Sequence, residues 1–195
     1  MKYRTILLFG APGAGKGTQG KILGSIPNFH HFASGDVFRR LTPETELGRL
    51  FLDYSGRGEL VPDEPTIRLC REHLEAAARD GRFDPVNDTL VLDGIPRNPN
   101  QARLLSPSLD VRLVLYLSCS DMDKMVLRLQ RRALKENRLD DADPAVIRKR
   151  LEVFEAQSKP VLDYYGPDLR CDIDATQTPI KVSLDILQAV EERLG

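Results

Sequence analysis

The sequence lacks the features that would mark a membrane protein, a secreted protein or a metal-cluster protein. No apolar run approaches the length of a membrane-spanning helix. The short apolar run near the N-terminus passes directly into glycine-rich sequence, which is unlike a signal peptide. The cysteines, Cys70, Cys119 and Cys171, form no CxxC pair and no metal-ligand spacing. We therefore expect reduced, buried thiols in a cytoplasmic protein.

The chain also lacks an excess of either charge. Its 28 Lys and Arg residues nearly balance 29 Asp and Glu residues, so the formal net charge is −1. This balance gives no general argument for a nucleic-acid partner or for an anionic membrane surface. Internal repeats and low-complexity tracts are absent as well, and the 195 residues are expected to form one domain with a substantial core.

What is present is an alternation of short apolar runs with longer segments of helical period. The apolar runs predict strands at 5–9, 30–33, 89–92, 111–117 and 169–173. Helices are predicted at 16–25, 35–41, 46–54, 63–79, 98–105, 120–134, 144–165 and 179–194. Asp63 is an expected helix N-cap, as is Ser120 or Asp121. This order predicts an α/β fold, a five-stranded parallel sheet of the P-loop NTPase type with helices on both faces.

The stretch GAPGAGKGT, from Gly10 to Thr18, nearly matches the phosphate-binding pattern G-x-x-x-x-G-K-[ST]. Gly17 follows Lys16, so the hydroxyl arrives one position late, at Thr18. The stretch lies between a predicted strand and a predicted helix, which is where a genuine phosphate loop occurs. Its backbone N–H groups and the helix N-terminus favour anions, and Lys16 adds a point charge. We expect a polyphosphate to bind here.

Polar residues follow two further predicted strands at their C-terminal ends, where open α/β sheets bind ligands. One strand runs into Ser34, with Arg39 about a turn later, and another runs into Asp93, with Gln101 eight residues on. The Asp93 carboxylate should therefore lie near the phosphate loop. It is a candidate to hold Mg²⁺ through water, because Mg²⁺ keeps much of its hydration shell. The alternative is an N-cap or turn carboxylate.

Six arginines lie between positions 128 and 150. Arg128 and Arg132 share one helix face. Arg150 lies on the apolar stripe of the 144–165 helix, whereas Arg148 and Lys149 point to solvent. An inward arginine needs an anionic partner, which is either a phosphate or a structural carboxylate such as Asp140 or Asp141. A set of arginines beside a phosphate loop fits phosphoryl transfer, which needs charge neutralisation more than covalent help.

The stretches GAPGAGKGT, ASGDVFR, DGIPRNPNQ, RLQRR and NRLDDADPAVIRKR occur in the order and near the spacing of the nucleoside monophosphate kinases. The chain most closely resembles adenylate kinases, over essentially its whole length. The resemblance implies that ATP with Mg²⁺ and AMP are converted to two ADP. It implies a monomer whose partners are these nucleotides, with no nucleic acid or membrane, and a late loop hydroxyl is normal in this family. The short polar segment after Arg132 resembles a short lid without cysteines, so no zinc is expected.

The resemblance also implies roles for individual residues. Lys16 would contact the outer ATP phosphates, Arg39 and Arg97 the AMP phosphate, and Gln101 the adenine edge of AMP. The residues implied for ATP are Gly13, Ala14, Gly15, Lys16, Gly17, Thr18, Arg128, Arg132 and Gln177. Those implied for AMP are Ser34, Arg39, Glu59, Leu60, Val61, Gly94, Ile95, Pro96, Arg97, Gln101, Arg138 and Arg150. The implied catalytic residues are Lys16, Arg97, Arg132, Arg138 and Arg150, and Mg²⁺ would have no direct protein ligand beyond the water-mediated Asp93.

The resemblance further divides the chain into a core of 1–33, 64–130 and 142–195, an AMP-binding subdomain of 34–63 and a short lid of 131–141. Two residues depart from the family pattern, because Ser34 replaces a usual threonine and Ile95 a usual aromatic. The nearest alternative is a UMP/CMP kinase, and Asn98 is the one residue that favours it. An alternative of another class is a nucleotide-sensing module that binds ATP without turnover. The sequence does not favour it, because it has a charged residue at each position where the family uses one for catalysis.

Overall fold

A computed structural model of the chain describes residues 2–136 and 143–195. The strands of the described residues are β1 Tyr3–Gly10, β2 Phe29–Ala33, β3 Thr89–Asp93, β4 Leu109–Ser118 and β5 Arg170–Asp174. They form one parallel sheet in the order β2-β3-β1-β4-β5. The fold is therefore the predicted α/β architecture.

The described helices cover both faces of this sheet. Their bounds are α1 Lys16–Leu23, α2 Ser34–Arg39, α3 Glu46–Gly56, α4 Asp63–Arg79, α5 Pro99–Leu105, α6 Met122–Glu136, α7 Pro144–Val153, α8 Val161–Tyr165 and α9 Pro179–Leu194. The central strands are buried on both sides, as a parallel sheet between helix layers requires. Ile6 of β1, for example, pairs with Val91 and Leu113, and all three side chains are fully buried. No helix of the described residues combines the length and apolar character that crossing a bilayer needs.

Two local predictions are wrong. The predicted 144–165 helix is interrupted, since α7 passes into a π-helical turn, Phe154–Ser158, before α8 begins beyond Pro160. The wider turn is closed by the Lys159 N–H, which donates to the Phe154 carbonyl at 2.8 Å. Asp63 is not an N-cap either. Pro62 occupies that position, and the Asp63 carboxylate instead accepts hydrogen bonds from α5 and the residue before it.

Other helix ends agree with the sequence. Asp121 is the cap of α6, because its carboxylate accepts a hydrogen bond from the Lys124 N–H at 2.9 Å. Asp143 caps α7 through the Ala145 N–H at 2.7 Å. Gly81, just past the end of α4, has a φ of +69°, a conformation that glycine adopts without strain.

Candidate active site

The phosphate loop joins β1 to α1 at the C-terminal edge of the sheet. Gly13 and Gly15 have φ values of +87° and +98°, and these left-handed conformations curl the chain without a steric penalty. Gly15 is also the N-cap of α1, with no side-chain capping bond. The first N–H groups of the helix are therefore left to face a ligand, as an anion site requires.

Lys16 begins α1 and turns back over the loop. Its ammonium donates to the carbonyls of Gly10 at 2.6 Å and Ala11 at 3.1 Å. Removal from water lowers the pKa of Lys16 to about 8, Asp93 opposes this change, and nearby arginines, Arg97 first among them, add to it. The lysine is thus poised to gain from a polyphosphate, which would replace two neutral carbonyls with anionic oxygens.

Asp93 ends β3 beside the loop, and it is only 8% exposed. A Cβ built on Gly17 would stand 3.6 Å from its Oδ2 atom, so position 17, where the usual hydroxyl is missing, faces this carboxylate directly. A carboxylate beside a phosphate site could hold Mg²⁺ through water, because this ion takes its ligands from phosphates and water. Among the described residues, no group of three or more His, Cys, Asp or Glu side chains could form a protein-only metal site.

His31 of β2 also lies close to Asp93, with its Nε2 atom 3.8 Å from Asp93 Oδ2. That Nε2 atom is buried and has no hydrogen-bond partner among the described residues. The ring packs beneath α1 at Gly20, where a Cβ would lie 2.2 Å from Nε2. Sequence reasoning assigned His31 no place in any pattern, and its closeness to Asp93 comes from the pairing of β2 with β3.

The chain after β3 bends sharply at Gly94, whose φ is +78°, and the Ile95–Pro96 peptide bond is cis. The Gly94 carbonyl accepts hydrogen bonds from Ser34 Oγ at 2.8 Å and from Arg97 Nε at 2.7 Å. The bond from Ser34 joins the ends of β2 and β3, and the bond from Arg97 holds the base of its guanidinium beside Gly94 in the cleft lining. The Ile95 side chain, in contrast, is 2% exposed and lies in the core.

Gln101 sits on α5 with 1% exposure, and each end of its side-chain amide makes one hydrogen bond. Its Oε1 atom accepts from the Arg97 N–H at 2.8 Å, and its Nε2 atom donates to Asp63 Oδ1 at 2.9 Å. Asn98 and Asn100 also donate to the Asp63 carboxylate, at 2.8 and 2.6 Å. Burial alone would raise the pKa of Asp63, but these three amide hydrogen bonds outweigh it and lower the pKa below its ordinary value.

An aromatic pair, Phe38 and Phe51, lines the same end of the cleft. The two rings stack with centroids 5.3 Å apart and planes 17° apart. They lie on α2 and α3, and Leu60 and Val61 line the same cleft. Sequence reasoning missed this pair, since each phenylalanine alone reads as a core residue of a short helix.

The arginines reach the cleft from three sides. Arg128 of α6 donates to the Ala175 carbonyl at 2.9 Å and so tethers the loop that carries Gln177. Arg132 of α6 and Arg150 of α7 line the cleft, whereas Arg148 and Lys149 are exposed, as the stripe of apolar residues predicted. Arg39 pairs with Asp36 at 2.7 Å. Arg138 lies outside the described residues.

Together these groups enclose a cleft of about 770 Å³ at the carboxyl edge of the sheet. It brings together the predicted residues Gly13, Ala14, Gly15, Lys16, Gly17, Thr18, Ser34, Arg39, Glu59, Leu60, Val61, Asp93, Gly94, Pro96, Arg97, Gln101, Arg128, Arg132, Arg150 and Gln177. Ile95 is not among the residues that line it. The volume lies within the range of small-molecule and cofactor sites.

Comparison with known proteins gives one family. Residues 8–168 match the family described as Adenylate kinase. The chain is similar to the adenylate kinase of Streptomyces coelicolor, with 33% identity covering 95% of this chain and 98% of the relative. It is 38% identical to that of a Cyanothece species, covering 97% and 96% of the two chains. With the adenylate kinase of Thermobifida fusca it shares 40% identity, over 82% and 83% of the two chains.

Proposed function

The chain belongs to the adenylate kinase family, and from that premise we propose how its cleft is divided between two nucleotides. It is a phosphotransferase that moves the terminal phosphoryl group of ATP reversibly to AMP and gives two ADP. The observation that carries the division is a single cleft lined by the phosphate loop, by Gln101 and by several arginines. We place ATP at the phosphate loop and AMP at the end that Gln101 lines.

ATP binds at the phosphate loop. Residues 13–18 cradle its phosphates through the backbone N–H groups at the start of α1, and Lys16 leaves its two carbonyl partners for the outer phosphate oxygens. Arg128 and Arg132 contact ATP from α6. Gln177 lies in the loop tethered by Arg128, where its backbone carbonyl meets the ATP adenine.

AMP binds at the other end. The AMP phosphate binds Arg39, which leaves its ion pair with Asp36, and it also contacts Arg97 and Arg150. The adenine lies near the stacked Phe38–Phe51 pair and the Gln101 amide. The backbone of Glu59, Leu60 and Val61 lines the adenine pocket, together with Ser34 and residues 94–97. We also propose that Arg138 contacts AMP, as the family resemblance implies.

Phosphoryl transfer in this cleft depends on charge neutralisation and alignment rather than on a covalent step. Lys16, Arg97, Arg132, Arg138 and Arg150 surround the transferring group, stabilise its spreading negative charge and hold the two phosphate ends in line. Mg²⁺ bound with ATP would neutralise charge between the outer phosphates, and Asp93 would hold it through water. Thr18 would assist from the first turn of α1. The chain itself excludes water from the cleft and so protects ATP from hydrolysis.

We further assign residues 34–63 to the AMP-binding subdomain and residues 131–141 to a lid. Residues 34–63 include α2 and α3, which leave the sheet between β2 and the body of α4. Residues 131–136 continue α6, and residues 137–141 lie outside the described residues. A monomer in the cytoplasm remains our proposal, supported by three free cysteines that suit a reducing compartment.

The decisive experiment measures ADP formation from ATP and Mg²⁺ with AMP, UMP, CMP and GMP side by side. Fast turnover with AMP alone is expected. A preference for UMP or CMP would overturn the base assignment and keep the reaction class, whereas ATP binding without turnover of any acceptor would favour the sensing module.

Two variants locate the chemistry in this assay. Lys16→Met should abolish nearly all turnover, and Lys2→Met is its control because Lys2 is exposed before β1, at the opposite edge of the sheet. Arg97→Ala should mainly impair AMP use, and a normal KM and kcat for AMP in that variant would contradict the proposed AMP site.

A further inference from the structure

Asp63 has no role in the nucleotide sites described so far, yet its carboxylate organises the residue proposed to read the base. This inference rests on the proposed AMP site. Asp63 Oδ1 accepts the amide nitrogen of Gln101 at 2.9 Å and that of Asn98 at 2.8 Å. Gln101 and Asp63 are 38 positions apart, so the contact exists only because α4 and α5 pack side by side.

The two bonds of the Gln101 amide fix which of its ends is the donor. The carboxylate can only accept, so it requires Nε2 on its side, and the Arg97 N–H can only donate, so it requires Oε1 on the other. Turning the amide by half a rotation would set Oε1 against a carboxylate and Nε2 against an N–H group. Both contacts would then be repulsive, and the amide is therefore held in one orientation.

Each amide atom can still bond a ligand, because Nε2 carries a second hydrogen and Oε1 a second lone pair. In this orientation the side chain offers one acceptor beside one donor. A 6-amino purine presents the matching pair, a donor amino group beside the N1 acceptor. A 6-oxo purine presents the reverse pair, an acceptor oxygen beside an N1–H donor, and it would need the turned amide.

We propose that Asp63 is a specificity-determining positioning residue, which holds the Gln101 amide so that the site takes a 6-amino purine monophosphate and rejects a 6-oxo purine monophosphate. Asp63 does this without touching the nucleotide. Its removal should change the choice between two bases of nearly the same shape more than it changes turnover.

The test compares kcat/KM for AMP and for inosine monophosphate, which differ in this donor–acceptor pair. Asp63→Asn keeps the shape but offers an NH₂ group that can donate to a turned amide. The ratio of AMP to inosine monophosphate use should fall by at least about tenfold, the effect of one bidentate base contact, and mainly through better use of inosine monophosphate. Asn100→Ala is the matched control, because Asn100 bonds the other carboxylate oxygen, Oδ2, and the ratio should stay within about twofold.

Asp63→Ala serves as a second variant and should also lower the ratio, since the turned amide then meets one repulsive contact, at the Arg97 N–H, in place of two. Circular dichroism checks that each variant is folded. If Asp63→Asn lowers the use of both nucleotides by the same factor, Asp63 is merely structural and the inference is wrong. Gln101→Ala distinguishes failure of the Asp63 inference from failure of the proposed adenine site. If the ratio falls in Gln101→Ala but not in the Asp63 variants, only the inference about Asp63 is wrong. An unchanged ratio in Gln101→Ala overturns the proposed adenine site as well.

Discussion

Replacement of Gly20 by alanine measures how closely α1 is packed on β2. A Cβ at position 20 would lie 2.2 Å from His31 Nε2 and 2.7 and 2.8 Å from two ring carbons. The His31 side chain is only 12% exposed, so the ring has little room to withdraw and would be driven from its position beside Asp93. Overpacking of this kind costs about 1–3 kcal/mol, while alanine inside a helix gains up to about 1 kcal/mol over glycine. We expect Gly20→Ala to lower the free energy of unfolding by about 1 kcal/mol.

The effect of Gly20→Ala on the free energy of unfolding should change sign when the His31 ring is removed. In a His31→Ala background, the same Gly20→Ala substitution should raise the free energy of unfolding by about 0.5–1 kcal/mol, because only the helix preference remains. Urea unfolding of the four proteins without nucleotide gives the coupling energy directly.

Gly17→Ala is the matched control on the same helix. Its Cβ would meet Asp93 Oδ2 at an ordinary 3.6 Å, so its effect should be equal in both backgrounds. A coupling between positions 20 and 31 below about 0.5 kcal/mol, the limit of simple additivity, would refute the packing argument.

Two further outcomes are expected. The pKa of Lys16 is about 8 in the free protein and must rise when phosphates bind it, so ATP binding should take up a proton above pH 8. The Kd for ATP should then rise by up to about tenfold per pH unit above pH 8 and stay constant below pH 7. Titration calorimetry in two buffers measures the proton uptake, and its absence at pH 9 would contradict the prediction. Gly58 has a φ of +72° and would place a Cβ 2.9 Å from the Val146 carbonyl and 3.2 Å from Arg150 Cγ. Gly58→Ala should therefore raise the KM for AMP and leave ATP binding unchanged, whereas Gly56→Ala, with nothing within 4 Å, should change neither; equal effects of the two variants on AMP would contradict the contact with α7.

The sequence was sufficient where structure depends on neighbouring residues. The five strands, the phosphate loop and the inward position of Arg150 follow from apolar runs and helical spacing, although β1 and β4 extend beyond the apolar runs that predict them. Asp63 was misassigned because its partners come from α5, and a helix-start pattern is identical whether the carboxylate caps its own helix or bonds another. The Phe38–Phe51 stack likewise depends on the angle between α2 and α3, which no local pattern encodes.

The π-helical turn at Phe154–Ser158 has a consequence for how this chain tolerates changes in length. Such a turn holds one more residue than an α-helical turn, so deletion of one residue there would replace the wide turn before Pro160 with an α-helical one. The buried side chains on either side, Leu151 and Val161, would keep their registration with the core. What would change is the placement of Phe154 and Ser158, which both line the cleft. The shortened protein should therefore keep its fold and differ in its nucleotide site. At this turn, a change in chain length alters the nucleotide site without altering the fold.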